Sequence, residues 1–342
     1  VAAAVDGDTI LLLEGTFDEG LEPIVLSKSV RIMGSSRGPG VPPPSLASPP
    51  NSPVVVTTSR TGSPNRRPGG EETHRPEVST LRAILVASDG HGSINGLTLG
   101  LPHEATEIHN QADANQNNPV AFAALLAEPE NGDGDNPDDP QNGPLRCLAV
   151  TRVARWAIED CRIVGGLRAG SRSELAVIGC HLSRDPRSMG LPASTGVLVQ
   201  GSARCLVRTC VVDGFERSGV TCQHAAELWC DHSCVAGNAL TGIKCTSRAS
   251  CVVTHSSLLR NGHFGMLIRD RARASLLACE ISDNSSVGIA CISKAATRLR
   301  GCEISGNEGF GLVCQHEGRT FVEQCRVEKN GGAGVMVTQE AE

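Results

Sequence analysis

Residues 279–291 read CEISDNSSVGIAC, and the pattern returns 23 residues later as CEISGNEGFGLVC at residues 302–314. Its asparagine and its glycine keep this spacing through the carboxyl-terminal half of the chain. The asparagine column comprises Asn238, Asn261, Asn284, Asn307 and Asn330, and the glycine column comprises Gly196, Gly219, Gly242, Gly265, Gly288, Gly311 and Gly334. A fixed period of about 20 to 50 residues indicates a stacked solenoid, because no single repeat can bury its own apolar face.

Each repeat has room for three short strands and none for a helix. After the glycine, apolar residues alternate with others, as in Gly242-Ile243-Lys244-Cys245, which is typical of a strand with one buried face. A third apolar pair precedes the asparagine, as at Cys279 and Ile281. The inward places of the second strand are predicted at Cys205 and Val207, Leu228 and Cys230, Cys251 and Val253, Leu276, Leu299 and Val322. The sequence therefore predicts an all-β, single-stranded, right-handed parallel β-helix with three short strands per coil of roughly 23 residues.

The asparagine column is predicted to be a structural ladder. Asparagine accepts left-handed backbone dihedrals in tight turns and bonds nearby backbone groups. Because neighbouring coils lie about 4.8 Å apart, the five amides can also bond one another. We assign no catalytic role to this column.

The length of 342 residues suits one elongated domain, because a solenoid grows without a globular limit. We predict one β-helix domain over residues 1–342, with regular coils over 145–338. Residues 36–79 are Pro and Ser rich and are interpreted as a loop insertion, and residues 102–144 as an acidic, Asn and Asp rich disordered insertion. Between the insertions the strand pattern resumes, with inward positions predicted at Ile84, Val86, Ile94, Leu97 and Leu99.

The charge and hydropathy of the chain exclude two classes of partner. A net charge of −6 and an isoelectric point near 6.0 give no basic footprint for nucleic acid. No stretch of 18 apolar residues occurs, so the sequence predicts no segment that crosses a membrane. We therefore expect neither a nucleic acid nor a membrane as a partner.

The fifteen cysteines are odd in number, and most fall at inward places of strands. Side chains stacked on adjacent coils lie about 4.8 Å apart, whereas the Cβ atoms of a disulfide lie about 3.8 Å apart. These cysteines are better interpreted as small, reduced core residues. A column of buried thiols favours a reducing compartment, so we expect the protein inside the cell, in the cytoplasm or the nucleus.

Zinc is the alternative for Cys230, His232, Cys234 and His255, since thiols and imidazoles are its ligands. However, alternating residues of a strand point to opposite faces, and this set has no C-x-x-C pair. The sequence therefore predicts no metal and no cofactor.

Several segments carry a resemblance to known proteins. The opening residues 7–17 and 30–34, followed by Asn-x-x-x-Gly-Ile/Val coils, resemble the right-handed β-helix repeats of carbohydrate-binding and sugar-hydrolase proteins of the pectate-lyase-like superfamily. The cysteine-bearing coils at 279–284 and 302–307 look most like those of eukaryotic F-box β-helix proteins. The resemblance covers residues 1 to 34 and 145 to 338. It implies a substrate-recognition surface of a ubiquitin ligase, with a separate F-box that recruits the ligase core.

Binding and catalytic candidates come from the outward positions of the second strand. By register these form one column of Leu206, Trp229, Val252, Ser275, Arg298 and Phe321, and another of Arg208, Asp231, Thr254, Leu277, Arg300 and Glu323. Asp231 and Glu323 are four coils apart, about 19 Å, which is too far for a pair of glycosidase carboxylates. We therefore predict no catalytic residues on this face.

The aromatic content disfavours a polysaccharide groove, because the chain has no tyrosine, two tryptophans and six phenylalanines. Trp229, Phe321, Arg298 and Arg300 are predicted instead to contact a protein partner. The sequence therefore favours a non-catalytic recognition scaffold for a protein. The alternative is a carbohydrate-active enzyme, a polysaccharide lyase or a glycoside hydrolase, for which Gly90-His91-Gly92 is a short match to polygalacturonases.

Overall fold

The computed structural model describes residues 6–12, 16–18, 24–34, 54–56, 80–82, 85–87, 90–100, 148–184, 195–338 and 340–341. The described chain is built from short strands that recur in the same order, and neighbouring strands pair in parallel in three sheets, A, B and C. Apart from Val54–Val56, which forms an extra strand of sheet A, each coil has a strand of sheet A followed by one of sheet B and then one of sheet C. This confirms the predicted all-β parallel solenoid with three strands per coil.

Each of the three sheets contains eleven or twelve strands. Sheet A contains β1 (Thr9–Leu12), β4 (Arg31–Gly34), β5 (Val54–Val56), β8 (His91–Asn95), β11 (Arg155–Glu159), β14 (Glu174–Ile178), β17 (Arg204–Arg208), β20 (Glu227–Asp231), β23 (Ser250–Thr254), β26 (Arg273–Leu277), β29 (Ala296–Arg300) and β32 (Arg319–Glu323). Sheet B contains β2 (Thr16–Asp18), β6 (Thr80–Arg82), β9 (Thr98–Gly100), β12 (Arg162–Val164), β15 (His181–Ser183), β18 (Val211–Asp213), β21 (Cys234–Ala236), β24 (Ser257–Leu259), β27 (Glu280–Ser282), β30 (Glu303–Ser305) and β33 (Arg326–Glu328). Sheet C contains β3 (Ile24–Leu26), β7 (Leu85–Ala87), β10 (Leu148–Val150), β13 (Leu167–Ala169), β16 (Thr195–Val199), β19 (Ser218–Cys222), β22 (Thr241–Cys245), β25 (Phe264–Ile268), β28 (Val287–Ile292), β31 (Leu312–Gln315) and β34 (Val335–Val337).

The two predicted insertions fall almost entirely outside the described residues. Within 36–79 the structure describes β5, which pairs with β1 at the amino-terminal edge of sheet A. Between the insertions, Ile94, Leu97 and Leu99 are buried, as the pattern predicts. In β7 the buried residues are Leu85 and Ala87, which the pattern did not name. Ile84 and the side chain of Val86 are not described.

The core is a continuous column of apolar side chains enclosed by the three sheets. The strands of sheet A alternate, so that in β23 Cys251 and Val253 are buried while their neighbours face outward. The inward places predicted for β17, β20, β26 and β29 are likewise buried. The exception is Val322 of β32, which is 47% exposed, because β32 is the last strand of sheet A in the described part of the chain.

The asparagine column forms a continuous hydrogen-bonded ladder. Each side-chain Nδ2 donates to the Oδ1 of the next asparagine, at 3.0 Å from Asn238 to Asn261 and 2.9 Å from Asn307 to Asn330. The same Oδ1 also accepts from the backbone N–H of the preceding asparagine. At the amino-terminal end Phe215 occupies the equivalent place, and its N–H donates to Asn238 Oδ1. The ladder thus satisfies polar groups that would otherwise lie buried and unpaired.

The glycine column follows from the asparagine ladder. A Cβ atom on Gly242 would lie 2.8 Å from Asn261 Nδ2, and one on Gly265 would lie 2.8 Å from Asn284 Nδ2. Such contacts are closer than carbon and nitrogen atoms approach, so only glycine leaves room for the amides. The two columns that define the sequence repeat are therefore one structural unit.

A second ladder lies at the corner between sheets A and B. One residue in the left-handed conformation, such as Ala278 at φ 50°, follows the strand of sheet A there. The next residue is a cysteine or a serine, in the order Cys161, Cys180, Cys210, Ser233, Ser256, Cys279, Cys302 and Cys325. Its side chain donates to the carbonyl two residues earlier, at 3.3 Å from Cys279 Sγ to Leu277 O and 2.8 Å from Ser256 Oγ to Thr254 O. Apart from the half-buried Cys325, these cysteines are buried, as predicted, but they also serve as hydrogen-bonding groups.

Candidate functional site

The outer face of sheet A carries the predicted binding residues in the predicted register. Leu206, Trp229, Val252, Ser275, Arg298 and Phe321 are successive partners on adjacent strands. Trp229 is 39% exposed and Phe321 is 69% exposed. Both aromatic side chains therefore face outward, as the register requires.

The structure does not bring the four predicted residues together at one place. Arg298 and Phe321 are neighbours on adjacent strands, and Arg300 lies in the next column. Trp229 is four coils away from Phe321, about 19 Å along the solenoid. Arg298 Nη2 and Arg300 Nε lie 3.7 Å and 3.9 Å from Glu323 Oε2. Both arginines are thus ion-paired within the face.

Trp229 stands at one end of a shallow depression of about 460 Å³ on sheet A. Two small side chains, Ala157 and Ala176, form part of its lining, together with Leu206. An edge column of alternating charge borders it, with ion pairs of 3.1 Å from Arg155 to Glu174 and 3.2 Å from Arg204 to Glu227. The depression is open and is lined by both apolar and charged side chains.

The face offers no closely spaced pair of acids among its two predicted columns. Asp231 and Glu323 lie four coils apart in the observed register. A hydrogen bond from Thr254 lowers the pKa of the Asp231 carboxyl, and His232 and Arg208 act in the same direction. A general acid in a glycosidase needs the opposite shift. His91 of the short Gly-His-Gly match is exposed on β8, and a Cβ on Gly92 would meet the buried Trp156 ring.

The cysteine and histidine set considered for zinc is not assembled. Cys230 points into the core and is 1% exposed. Cys234 begins β21 of sheet B and is half-buried. His232 and His255 lie instead beside Asp231, on the outside of the corner between sheets A and B. The carboxylate of Asp231 is therefore the third group of this cluster, and no cysteine belongs to it.

A surface that the sequence analysis missed lies on the outer face of sheet C. We call it the sheet C patch. It is a second apolar cluster, separate from the core, and comprises Val287, Ala290 and Val313, with Phe264, Leu267, Phe310 and Met336 packed against them. The three central residues are buried and the four surrounding ones are half-buried.

The sequence does carry a signal for the sheet C patch. One outward residue of each sheet C strand pairs with its equivalent on the next strand, and these residues form a column across the sheet. In β19 and β22 this residue is polar, Thr221 and then Lys244. In the next coils the same column holds Leu267, Ala290 and Val313. Both faces of these strands are thus apolar, and β28 reads as a near-continuous apolar run, which is the mark of a strand covered on both sides.

Comparison with known proteins places the fold. Residues 195–342 match the family model described as a right handed beta helix region. The fold is a right-handed parallel β-helix. This confirms the handedness and class predicted from the repeat. No curated protein matches the sequence.

Three solved structures illustrate the likeness. The A-module of the mannuronan C-5 epimerase AlgE4 of Azotobacter vinelandii is 12% identical, with 97% of this chain and 89% of that chain covered and a TM-score of 0.51. The periplasmic alginate epimerase AlgG is 10% identical, with 97% and 76% covered and a TM-score of 0.39. PfbA, a surface adhesin of Streptococcus pneumoniae, is 9% identical, with 96% and 85% covered and a TM-score of 0.37. At 12% identity, the likeness to the AlgE4 A-module shows the fold alone.

Within the described residues, the structure has no helix of the length and apolarity needed to cross a bilayer.

Proposed function

We propose that this β-helix is a non-catalytic recognition scaffold and that a protein partner docks on the sheet C patch. The observation that carries the proposal is the apolar cluster on the outside of sheet C, in which four half-buried side chains surround a buried centre. The strands of sheet A expose charged and polar side chains between apolar ones, whereas the sheet C patch groups apolar side chains over adjacent coils. Grouped apolar area on an outer surface is typical of an interaction site.

The chemistry of the sheet C patch favours a protein over a sugar. Its side chains are aliphatic, thioether and phenyl groups, none of which bonds the hydroxyl groups of a sugar. Phenylalanine and methionine are enriched at protein interfaces, and the flexible methionine side chain adapts to the shape of a partner. Phe264, Phe310 and Met336 surround the buried centre, an arrangement that suits apolar anchors of a partner.

A carbohydrate ligand is a second candidate because of the depression beside Trp229. An indole ring next to ion-paired Arg and Glu side chains could stack on a sugar ring while the charged groups bond its hydroxyls. The spacing of Asp231 and Glu323 disfavours hydrolysis by an acid pair, so this candidate is a lyase or a binding module. Incubation of the purified protein with polyuronides tests it, since cleavage would move the assignment to an enzyme.

The cellular setting belongs to the same proposal. The fourteen cysteines in the described part of the chain, Cys161 through Cys325, form no disulfide with one another, which supports a reducing compartment and hence a place in the cytoplasm or the nucleus. The role of substrate receptor in an F-box-type ubiquitin ligase rests on the sequence resemblance alone. Recovery of ligase core subunits with the protein tests that role separately from partner binding.

The experiment is an affinity capture from native cell extract with matched surface variants. Leu267→Lys places on the sheet C patch the residue that Lys244 provides one coil earlier, so the strand should tolerate it. Val252→Lys makes the same kind of change on the outer face of sheet A. We expect Leu267→Lys to abolish capture of the main partner and Val252→Lys to retain it. The reverse result would assign docking to sheet A, and equal capture by both variants would overturn the proposed surface.

A further inference from the structure

A cluster of metal-ligating side chains lies at the corner where sheet A turns into sheet B. His232 Nδ1 is 2.9 Å from Asp231 Oδ1, and His255 Nδ1 is 3.9 Å from the same oxygen. The two imidazole rings are stacked, with centroids 4.7 Å apart and planes inclined by 19°. One ligand atom from each of the three residues lies within 4.8 Å of the others.

The repeat itself fixes this arrangement. His232 and His255 occupy the left-handed position of the corner in adjacent coils, with φ of 47° and 48°. Their N–H groups donate to the sheet A carbonyls of the following coil, Thr254 O and Leu277 O, both at 3.0 Å. The two backbones are therefore held in register about 4.8 Å apart. Because both side chains start from the same geometry, both imidazoles can turn toward one point.

Two side chains hold the Asp231 carboxylate in a defined orientation. Thr254 Oγ1 donates to Asp231 Oδ1 at 2.6 Å, and Arg208 Nε lies 3.2 Å from Oδ2. Hydrogen bonds of this kind orient metal-ligating carboxylates in proteins. Since Arg208 contacts Oδ2, the Oδ1 atom remains on the side of the two imidazoles.

We propose that Asp231, His232 and His255 bind a divalent transition metal ion of the zinc class. Two imidazoles and one carboxylate are a ligand set that zinc, nickel and cobalt accept. Bonds of about 2.1 Å in a tetrahedral site separate the ligand atoms by about 3.4 Å. The observed separations of 2.9 Å and 3.9 Å bracket that value. Both imidazoles are more than half exposed, so small side-chain rotations bring the atoms to ligand distance.

The site has an open side. Three protein ligands leave the fourth position of a tetrahedral ion to water or to a group from another molecule. His232 and His255 face solvent, so that position is accessible. This differs from the sequence prediction of no metal, which considered cysteines that the fold directs elsewhere and did not include Asp231.

The test is a titration of the full chain with Co²⁺ under reducing conditions, followed by visible absorption and by competition with Zn²⁺. We expect one equivalent to bind and to give the visible bands of a nitrogen and oxygen site, without thiolate charge-transfer absorption. His232→Asn, His255→Asn and Asp231→Asn should each weaken binding more than about tenfold, since even an outer-shell loss costs that much. Asparagine suits the left-handed backbone at both histidine positions.

The matched control is His224→Asn. His224 is another exposed histidine in a left-handed turn, with φ of 64°, but it lies at a different corner of the coil. Binding should be unchanged in this variant, and far-UV circular dichroism should be the same for all variants. The proposal is overturned by the absence of one-equivalent binding, by thiolate absorption, or by variants at all four positions that lose binding equally.

Discussion

The two ladders of this solenoid solve the same problem with different side chains. At the corner before sheet C, asparagine is retained from Asn238 to Asn330 and every amide bonds the next one. At the corner after sheet A, both cysteine and serine occur along the column. The amide provides a donor and an acceptor at once, so it links coil to coil. A thiol or a hydroxyl bonds the carbonyl two residues earlier and also accepts from the backbone N–H of the preceding coil, as Ser256 Oγ does from Ser233 at 3.1 Å. Either group can do both, whereas the amides also bond one another in series.

The largest effect should come from breaking the amide ladder in its middle. Asn284→Ala removes the acceptor of both the backbone N–H and the Nδ2 of Asn261. The backbone N–H of Asn261 and one of its two Nδ2 hydrogens, the other being bonded to Val235 O, are then buried and unpaired at about 1 to 3 kcal/mol each, which should lower the free energy of unfolding by about 4 kcal/mol. Urea denaturation followed by circular dichroism measures this. Asn330→Ala should cost less, because Asn330 is only half-buried and water can replace its bonds.

A somewhat smaller effect on stability is expected when a new side chain is forced against the amide ladder and no ladder amide is removed. A Cβ on Gly265 would lie 2.6 Å from Ile281 Cγ2 and 2.7 Å from Gly288 O. Gly265→Ala should therefore destabilise the protein by about 3 kcal/mol. Gly301→Ala is the control and should lose only about 1 kcal/mol, from its left-handed backbone at φ 60°, since a Cβ there meets nothing within 4 Å and Ala278 already stands at the same corner one coil earlier. Equal losses in urea midpoint for both variants would contradict the steric explanation.

A third comparison separates a ladder cysteine from a core cysteine. Cys205 is 1% exposed among core residues, and burial raises the pKa of its thiol. Cys205→Ser places a hydroxyl among apolar side chains and should cost about 2 kcal/mol in unfolding free energy. Thermal unfolding of the variant measures the loss. A stability equal to the parent protein would show that the serine finds a partner inside the core.

The smallest effect should be seen at the thiol ladder. Cys279 Sγ lies 3.3 Å from both Val253 O and Leu277 O, and Ser256 makes the equivalent bond one coil earlier. In Cys279→Ser the hydroxyl keeps these contacts, so the unfolding free energy should change by no more than about 0.5 kcal/mol. The same thermal measurement applies. A loss as large as that of Cys205→Ser would show that the two cysteine classes do not differ.

Much of the fold could be predicted because the 23-residue repeat sets the spacing of the strands, the turns and the inward side chains. The period gives the solenoid, and the alternation within β19 and β22 gives the strands and their inward sides. The sequence predicted an inward side chain at Val322. Burial of that side chain also requires a further coil stacked on β32, and the pattern within one strand does not show whether such a coil is present. In β7 the pattern is too short to set its phase, so Leu85 and Ala87 were not named.

The candidate sites were less accessible to sequence reasoning. The register correctly placed Trp229 and Phe321 on one outward column, but only the coil count shows how far apart they lie. The sheet C patch was missed because the coil used to define the alternation, at residues 242–245, carries Lys244 at that place. The sequence analysis named both Asp231 and His232. It did not predict the left-handed backbone at His232, which brings the imidazole back to the carboxylate.

The fixed coil length has a consequence for how such a chain can change in size. Residues 261–283 make up one full coil, because the ladder asparagines stand 23 residues apart. If this segment were removed, Asn238 would meet Asn284 in place of Asn261, and both ladders, the glycine column and every sheet register would close again across the junction. A deletion of any other length in this region would rotate the following coils out of register. Insertions and deletions in this region should therefore comprise whole coils. The length of the solenoid then changes in steps while its cross-section stays the same.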